Sequence, residues 1–421
     1  MKKALMWSGM LDDRPSNVPK TTFKFVTEPE AAAMSKIVGT SIMEGSQPGT
    51  SIVVADIGGG TADCISYVIN QTDPNQLREI AEGEGDIAGA MFVNESFKTL
   101  VQEKILSITG QTWDMLHQQD MDLILQAWEY EIKRHFRGLD SLVEPKYLTM
   151  QDGTRFKLNI TPDEVIGCFE IVKPNIEALI QRQVEAVAKR TLKPPNYILL
   201  VGGFGQSPYL YASLQRFYSG IPTCVVREIG PNAWDCVSRG AVICGTQKNQ
   251  ITIQSRVSRF SYGFIHAVPF EKGIHNPNDN VFDTSRGYHM AADQMKWFIK
   301  RGEDIESKKE YTFKYERRFP GPIHCHREFS EDIYQSSKYN PSTRKVEAWE
   351  EDGFFHAIVV NFRTPVWVSK LPKRLEGDNI WYVLEYDLEV EISGASITIS
   401  AKWLKDKSVE VGKGFLIAPV Q

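Results

Sequence analysis

The 421-residue sequence lacks several features that would place it in a specialised class of protein. Its six cysteines include no Cys-x-x-Cys pair, which is typical of buried thiols in a reducing compartment. No stretch reaches the apolar length of a membrane span. The net charge of −5 is mild and argues against a broad surface for nucleic acid or anionic membrane. We therefore expect a cytoplasmic protein that binds neither nucleic acid nor membrane.

Two common phosphate-binding fingerprints are also missing. The sequence has no Walker A loop with its Lys-Ser/Thr, and no Gly-x-Gly-x-x-Gly opening a helix. Instead, the apolar run 52–55 is followed by Asp56-Ile57, three glycines, Thr61, Ala62 and Asp63. The β-branched and aromatic run 64–69 comes next and predicts a second strand. The whole segment is therefore expected to be a β-hairpin with a glycine turn.

This glycine turn is suited to a phosphate group. Gly58, Gly59 and Gly60 lack Cβ atoms, so the backbone can approach an anion, adopt positive φ and direct successive N–H groups at phosphoryl oxygens. Asp56 at a strand end suits Mg²⁺, and Thr61 could bond a phosphate oxygen. The alternative is an ordinary hairpin turn. Three glycines cost more backbone entropy than a turn requires, which favours phosphate binding.

Three helices are predicted between the hairpin and the next strand. Apolar periodicity over residues 87–109 predicts the first helix, and Asp114 to Phe136 predicts the second. Thr161 to Glu164 forms a capping box, so the third helix is expected from there to about Lys189, with a bend at Pro174.

A second glycine pair follows an apolar strand. The run Tyr197–Val201 leads into Gly202-Gly203 and then a helix opened by Ser207-Pro208. Such a turn offers close backbone approach and a positive helix end to a nucleotide. Glycines equally serve tight strand-to-helix packing, so this pair gains weight only beside the first glycine turn.

Taken in order, these motifs resemble the nucleotide-binding domain of the heat-shock protein 70 family, and most of all its divergent members in the actin-type ATPase superfamily. The resemblance covers roughly residues 20–246 and rests on five segments: 27–33, 56–63, 85–90, 198–203 and 239–241. It implies an α/β fold. Residues 1–248 would form an actin-like, ribonuclease H-like nucleotide-binding domain, incomplete at its N-terminus, and 249–421 a β-rich domain.

The resemblance also implies cofactors and residue roles. ATP or ADP with Mg²⁺ would be bound. The implied catalytic residues are Glu28, Asp56 and Thr61, with Asp56 on the metal side. The implied nucleotide-binding residues are Gly58, Gly59, Gly60, Thr61, Gly89, Lys133, Arg134, Gly202 and Gly203. Without the resemblance, Lys133-Arg134 would be read as a solvated helix end favoured by the helix dipole.

Departures from the family pattern concern catalysis. The first phosphate hairpin and the catalytic lysine of the family belong upstream of Glu28 and have no counterpart here. Tyr130 stands where an acid is expected, Ala90 where a glycine is expected and Phe204 where a polar residue is expected. We expect weak or absent ATP hydrolysis. Either the chain is an N-terminally truncated form of a longer ATPase, or it has lost catalysis and kept the scaffold.

The C-terminal region predicts strands near residues 252–253, 259–262, 310–313, 357–360 and 389–392, with turns at Gly377-Asp378 and Gly394. His324-Cys325-His326 could bind zinc with further ligands, but a surface loop is favoured. Two functions stay open: an ATP-binding, chaperone-type protein with protein clients or co-chaperones, or an inactive actin-like scaffold that acts as a protein-binding or regulatory module.

Overall fold

The computed structural model describes residues 7–9, 18, 26–37, 46–72, 75–227, 229–230, 235–246, 251–321, 324–351, 355–364, 366–393, 396–405 and 410–417. The predicted turn at Gly394 lies outside these residues. In chain order the strands are β1 (Ser51–Ile57), β2 (Ala62–Thr72), β3 (Asn75–Asp86), β4 (Lys146–Thr149), β5 (Arg155–Leu158), β6 (Tyr197–Val201), β7 (Cys224–Arg227), β8 (Ile251–Val257), β9 (Ser261–Pro269), β10 (Asn280–Asp283), β11 (Tyr288–Ile299), β12 (Asp304–Glu306), β13 (Lys308–Pro320), β14 (Glu328–Ser336), β15 (Phe355–Arg363), β16 (Lys373–Glu376), β17 (Asn379–Ser393), β18 (Ser396–Trp403) and β19 (Glu410–Ile417).

The predicted hairpin begins a mixed seven-stranded sheet. Its order is β12-β8-β3-β2-β1-β6-β7. Strands β1, β2 and β3 form an antiparallel meander, whereas β6 and β7 continue from β1 in parallel. Strand β1 is buried along its whole length, as its run of apolar residues requires. The carboxyl ends of β1 and β6 therefore meet at one edge of the sheet.

Helices cover both faces of this sheet. The helices among the described residues are, in chain order, α1 (Glu28–Ile37), α2 (Ala90–Thr109), α3 (Gln118–Gln126), α4 (Pro162–Glu170), α5 (Lys173–Thr191), α6 (Pro208–Phe217), α7 (Cys236–Thr246) and α8 (Lys345–Glu351). The last of these, α8, packs on β11 instead of the seven-stranded sheet. One large core contains buried side chains of α2, α4, α5 and α6 with Val53, Ala55 and Ile57 of β1. The opposite core packs α1 and α7 against Ile52 and Val54. Successive residues of β1 thus serve opposite faces, as a pleated strand requires.

The helix predictions hold with local differences. The capping box is confirmed, because Thr161 Oγ1 accepts the Glu164 N–H and Glu164 Oε2 accepts the Thr161 N–H. The predicted bend becomes a break, with a new helix that starts at Lys173-Pro174. The single helix predicted from Asp114 to Phe136 is instead a 3₁₀ turn, α3 and a π-helical turn over Ala127–Ile132.

Two further sheets make the C-terminal region β-rich. One has the order β10-β11-β9-β14-β15, and the other joins β13, β17, β18 and β19, with β16 beside β17. They share one buried core that includes Phe264 and Ile333 from the first sheet and Leu388 and Ile399 from the second. The two sheets therefore pack face to face.

The C-terminal region also extends the central sheet. Strand β8 pairs in parallel with β3, and β12 pairs with β8. The division of the chain at residue 248 stays a prediction, and the structure adds that strands from both sides of it share one sheet. No helix among the described residues has the length and apolarity needed to cross a membrane.

Candidate functional site

The glycine turn lies at the carboxyl end of β1, as the sequence predicts. Asp56 is opposite Asp63 in the β1–β2 register, and the Gly58 N–H donates to the Thr61 carbonyl over 2.9 Å. Gly59 is exposed and Gly60 is half-buried. The tip of the turn is thus open on one side.

The conformation of the turn differs from the expectation. None of Gly58, Gly59 and Gly60 has φ in the left-handed region, so the anion nest expected from positive φ is not formed. A Cβ added at Gly59 would meet no atom within 4 Å, and one at Gly60 would meet only Met91 Sδ at 3.8 Å. Packing among the described residues therefore does not require glycine at positions 59 and 60. What they provide is open backbone that an external group can approach.

Gly89 has a different role from its neighbours in the turn. Its Cβ would lie closer than 3.0 Å to backbone atoms of Gly59 and Gly60, so only glycine fits there. The N–H groups of Gly89, Ala90 and Met91 donate to the carbonyls of Gly60, Gly58 and Gly59 over 3.1, 3.1 and 2.8 Å. The first N–H groups of α2 are thus satisfied by the turn. Gly89 holds the turn against the helix.

Acidic groups converge beside this turn. Asp56 is 9% exposed, and burial raises the pKa of its carboxyl group to about 6, with further contributions from Glu28 and Asp63. Glu28 begins α1, which packs on the face of the central sheet that carries Ile52 and Val54 of β1. The Thr61 hydroxyl donates to Asp63 Oδ2 over 2.9 Å, so the group predicted to bond a phosphate has a partner within the chain.

Within the described residues, these acids could supply part of a magnesium site but do not complete one. Among the described residues, no group of three or more His, Cys, Asp or Glu is close enough to hold a metal ion by itself. Mg²⁺ is usually held by one or two carboxylates together with water and substrate phosphates. Burial is the main cause of the raised pKa of Asp56, and a divalent cation beside it would relieve the smaller contribution from the charges of Glu28 and Asp63.

The second glycine pair lies next to Asp56. Gly202 has φ +81°, and a Cβ there would lie 2.6 Å from the Ile57 carbonyl oxygen and would also overlap the Asp56 carboxyl group. Gly203 is exposed and precedes a 3₁₀ turn, so α6 begins only at Pro208, with Ser207 as its N-cap. Gly202 thus serves close packing in this structure, and Gly203 faces solvent.

Lys133 is more than a solvated helix end. It is 8% exposed, its Nζ donates to Asn94 Oδ1 over 2.9 Å, and it forms an ion pair with Glu129. The Trp128 indole donates to the same Asn94 oxygen over 2.9 Å. Arg134 is more exposed, and its guanidinium lies 4.9 Å from the centre of the Tyr130 ring.

A π-helical turn precedes Lys133. The Lys133 N–H donates to the Trp128 carbonyl, five residues back, over 2.9 Å. The sequence puts Tyr130, not an acid, three residues before Lys133, and the ion-pair partner is Glu129, four residues before it. A spacing of four residues brings two side chains to one helix face, so Glu129 is within reach of Lys133 at an ordinary helical spacing.

An aromatic cluster connects the segment that carries Lys133 with the segment that carries Gly202-Gly203. Trp128 stacks on Phe97 at 4.0 Å between ring centres and contacts Phe169 at 6.4 Å. Phe169 also packs on Phe204 at 5.9 Å, directly after Gly202-Gly203. Phe204, expected to be a polar residue, is buried as part of this cluster. The structure thus links both candidate segments through one core.

Asp63 is an acid beside the turn to which the sequence analysis gave no role. The hairpin register could have revealed it, because a two-residue tip at Gly59-Gly60 places Asp63 directly opposite Asp56. Like charges at such a distance are unfavourable unless something compensates them. For the zinc alternative, the part of the chain that the structure describes adds no further ligand. His324 and Cys325 lie in an irregular segment, and the His326 ring is 5.0 Å from Trp367.

Comparison with known proteins supports the family resemblance. Human heat shock 70 kDa protein 12B is 22% identical over 303 residues, which is 65% of this chain and 42% of that protein. Human and mouse heat shock 70 kDa protein 12A are each 22% identical over 296 residues, 63% of this chain and 42% of those proteins. The chain is distantly similar to divergent Hsp70-like proteins. It aligns with less than half the length of these Hsp70-like relatives.

One family model matches part of the C-terminal region. A family model described as Domain of unknown function (DUF8568) covers residues 256–372. That segment runs from the end of β8 into the β-rich sheets, ahead of β16. The chain thus carries, within its C-terminal region, a segment that this family model describes.

Proposed function

We propose that this chain binds ATP or ADP with Mg²⁺ at the glycine turn, and that the bound nucleotide alters a protein-binding surface, as in a chaperone-type protein. Residues 1–248 would form an actin-like nucleotide-binding lobe. The observation that carries the proposal is the open glycine turn beside Asp56, Glu28 and Asp63. Its glycines are not required by the protein's own packing, and the acids beside it suit a divalent cation.

Two further features support the same proposal: the strand arrangement, and the Lys133 cluster, which consists of Lys133, Asn94, Trp128 and Glu129. A meander of three antiparallel strands that continues into two parallel strands is what a ribonuclease H-like lobe requires. Asn94, which orients Lys133, lies on α2 five residues after Gly89, about 7 Å along the helix axis. Gly58–Thr61 and Asp56 would hold the phosphates and metal, and Lys133, Arg134 and Gly202-Gly203 the adenosine.

A second candidate is an actin-like scaffold that binds a protein without turnover. The observation in its favour is that the predicted phosphate donors already have partners. The Thr61 hydroxyl donates to Asp63, and the first N–H groups of α2 donate to the carbonyls of the turn. This candidate predicts that nucleotide has no effect on the protein.

Thermal unfolding with and without Mg²⁺-ATP tests the proposal. A ligand at about a hundred times its Kd stabilises the folded state by roughly 2.7 kcal/mol. We expect a rise in Tm with Mg²⁺-ATP, a smaller rise with ATP and EDTA, and loss of the magnesium effect in Asp56→Asn. Asp122→Asn, which changes an exposed acid on α3, is the matched control. A folded wild-type protein with no shift would favour the scaffold.

A further inference from the structure

A buried ion pair connects the C-terminal region to the helix that carries Glu28. Arg256, near the end of β8, donates from Nε to Glu30 Oε2 over 3.1 Å and from Nη2 to Glu30 Oε1 over 2.5 Å. The side chains are 22% and 8% exposed. Such a two-pronged contact fixes both position and orientation.

Glu30 lies in the first turn of α1, two residues after Glu28. The same turn is held on its other side by α7, because Gly240 packs against the Ala31 backbone so closely that no Cβ fits. The N-terminal end of α1 therefore has two supports, Gly240 from within the lobe and Arg256 from β8. Glu28 begins this same turn, and its charge contributes to the raised pKa of Asp56.

The energetics of the ion pair point beyond stability. A buried ion pair is often no more stabilising than apolar residues of the same volume, since both charges lose their hydration. What it provides here is a fixed geometry between two segments far apart in sequence. Arg256 is also the first residue of the segment that the separate family model matches. Strand β8 then leads through Ser258, whose N–H donates to the Glu303 carbonyl, into the β-rich sheets.

We propose that Arg256 is a positioning residue of the nucleotide site: through Glu30 it fixes the first turn of α1, so that the β-rich region sets the affinity for magnesium-bound nucleotide. This inference rests on the proposed function. Removing the support lets Glu28 move away from Asp56. The metal-dependent part of nucleotide binding then weakens, whereas contacts of the adenosine with the Lys133 cluster are unchanged.

The test compares ADP with Mg²⁺ and ADP with EDTA. Arg256→Gln alone strands a buried carboxylate and could unfold the protein. The double variant Glu30→Gln/Arg256→Gln removes both charges and keeps hydrogen-bonding groups. We expect it to fold and to bind Mg²⁺-ADP 10- to 100-fold more weakly, the usual effect of losing a group that orients a metal ligand, with unchanged affinity for metal-free ADP. Arg256→Lys, which keeps the charge, should fall between.

Arg301→Gln is the matched control. Arg301 also joins the C-terminal region to the central sheet, through an ion pair with Glu82 at 2.7 Å, but Glu82 is on β3 and not on α1. Its loss should leave Mg²⁺-ADP affinity at the wild-type value. If Arg301→Gln and the double variant weaken binding equally, the effect is general to the junction and the assignment to Arg256 is wrong.

The comparison of ADP with and without Mg²⁺ separates positioning from a merely structural role. A structural defect weakens ADP binding under both conditions, whereas loss of positioning weakens it only with Mg²⁺. Wild-type Mg²⁺-ADP affinity in the folded double variant would overturn the inference alone. A wild-type protein that binds no ADP would overturn both the inference and the proposed function.

Discussion

Two glycines in contact with each other, Gly59 and Gly89, should respond oppositely to the same substitution. A Cβ at Gly59 meets no atom within 4 Å and its φ is outside the left-handed region. We therefore expect Gly59→Ala to change the free energy of unfolding by no more than about 0.5 kcal/mol, or to raise it slightly by restricting the unfolded chain. If the turn binds phosphate, however, the added methyl group covers its open backbone, and Mg²⁺-ATP binding should be lost.

Gly89→Ala should have the reverse profile for stability. Its methyl group would overlap the backbone of Gly59 and Gly60, so α2 must move away from the turn. Three hydrogen bonds from the first turn of α2 then weaken. At about 1 kcal/mol for each bond, the free energy of unfolding should fall by about 3 kcal/mol.

Urea unfolding measures the free energy of unfolding of both variants, and a titration of Mg²⁺-ATP into each folded variant measures its ATP affinity. Wild-type ATP affinity in Gly59→Ala would refute phosphate binding at this turn. Wild-type stability in Gly89→Ala would refute the packing argument. If Gly59→Ala lowers the free energy of unfolding, weaker ATP binding by this variant could not be attributed to the methyl group blocking the phosphate.

Three further predictions follow from the site. Since the pKa of Asp56 is raised from 3.8 to about 6, the native protein holds its proton more tightly than the unfolded chain, and stability falls as pH rises from about 4 to about 6. Asp56→Asn should therefore stabilise the ligand-free protein by about 3 kcal/mol at pH 8 and not at pH 3. Urea unfolding at both pH values measures this difference, and an equal effect at the two pH values would contradict the raised pKa. In calorimetry, Lys133→Met should weaken Mg²⁺-ATP binding about tenfold or more without changing the affinity for Mg²⁺-tripolyphosphate. Arg134→Met, at a more exposed position, should have a smaller effect. If Lys133→Met weakens the binding of both ligands equally, the assignment of Lys133 to the adenosine is wrong. Phe169→Ala should lower the free energy of unfolding by about 3–5 kcal/mol, since Phe169 is 1% exposed within the aromatic cluster, and a loss below about 1 kcal/mol in urea unfolding would be inconsistent with that packing.

The local parts of the fold could be predicted from the sequence. The glycine turn between two apolar runs gave the β1–β2 hairpin, and the capping box at Thr161 gave the start of α4. Each depends on residues within a few positions of one another, where turn and capping preferences act.

The parts that depend on distant contacts could not. Strand β8 joins β3 and β12 joins β8, yet nothing in Ile251–Val257 specifies a partner more than 160 residues earlier in the chain. Gly89 was expected to lie beside phosphate, and its observed contact is with the turn itself. The side chain of Asn94 carries no sequence signal for its place between Trp128 and Lys133, because that place depends on a π turn.

The most direct test of the central claim is a calorimetric titration of ATP into the wild-type protein with Mg²⁺ and with EDTA, repeated for Asp56→Asn. The account predicts one ATP bound per chain and at least tenfold tighter binding with Mg²⁺, with that difference lost in the variant. No binding by the folded wild-type protein, or binding that is equally tight with EDTA and in Asp56→Asn, would contradict it.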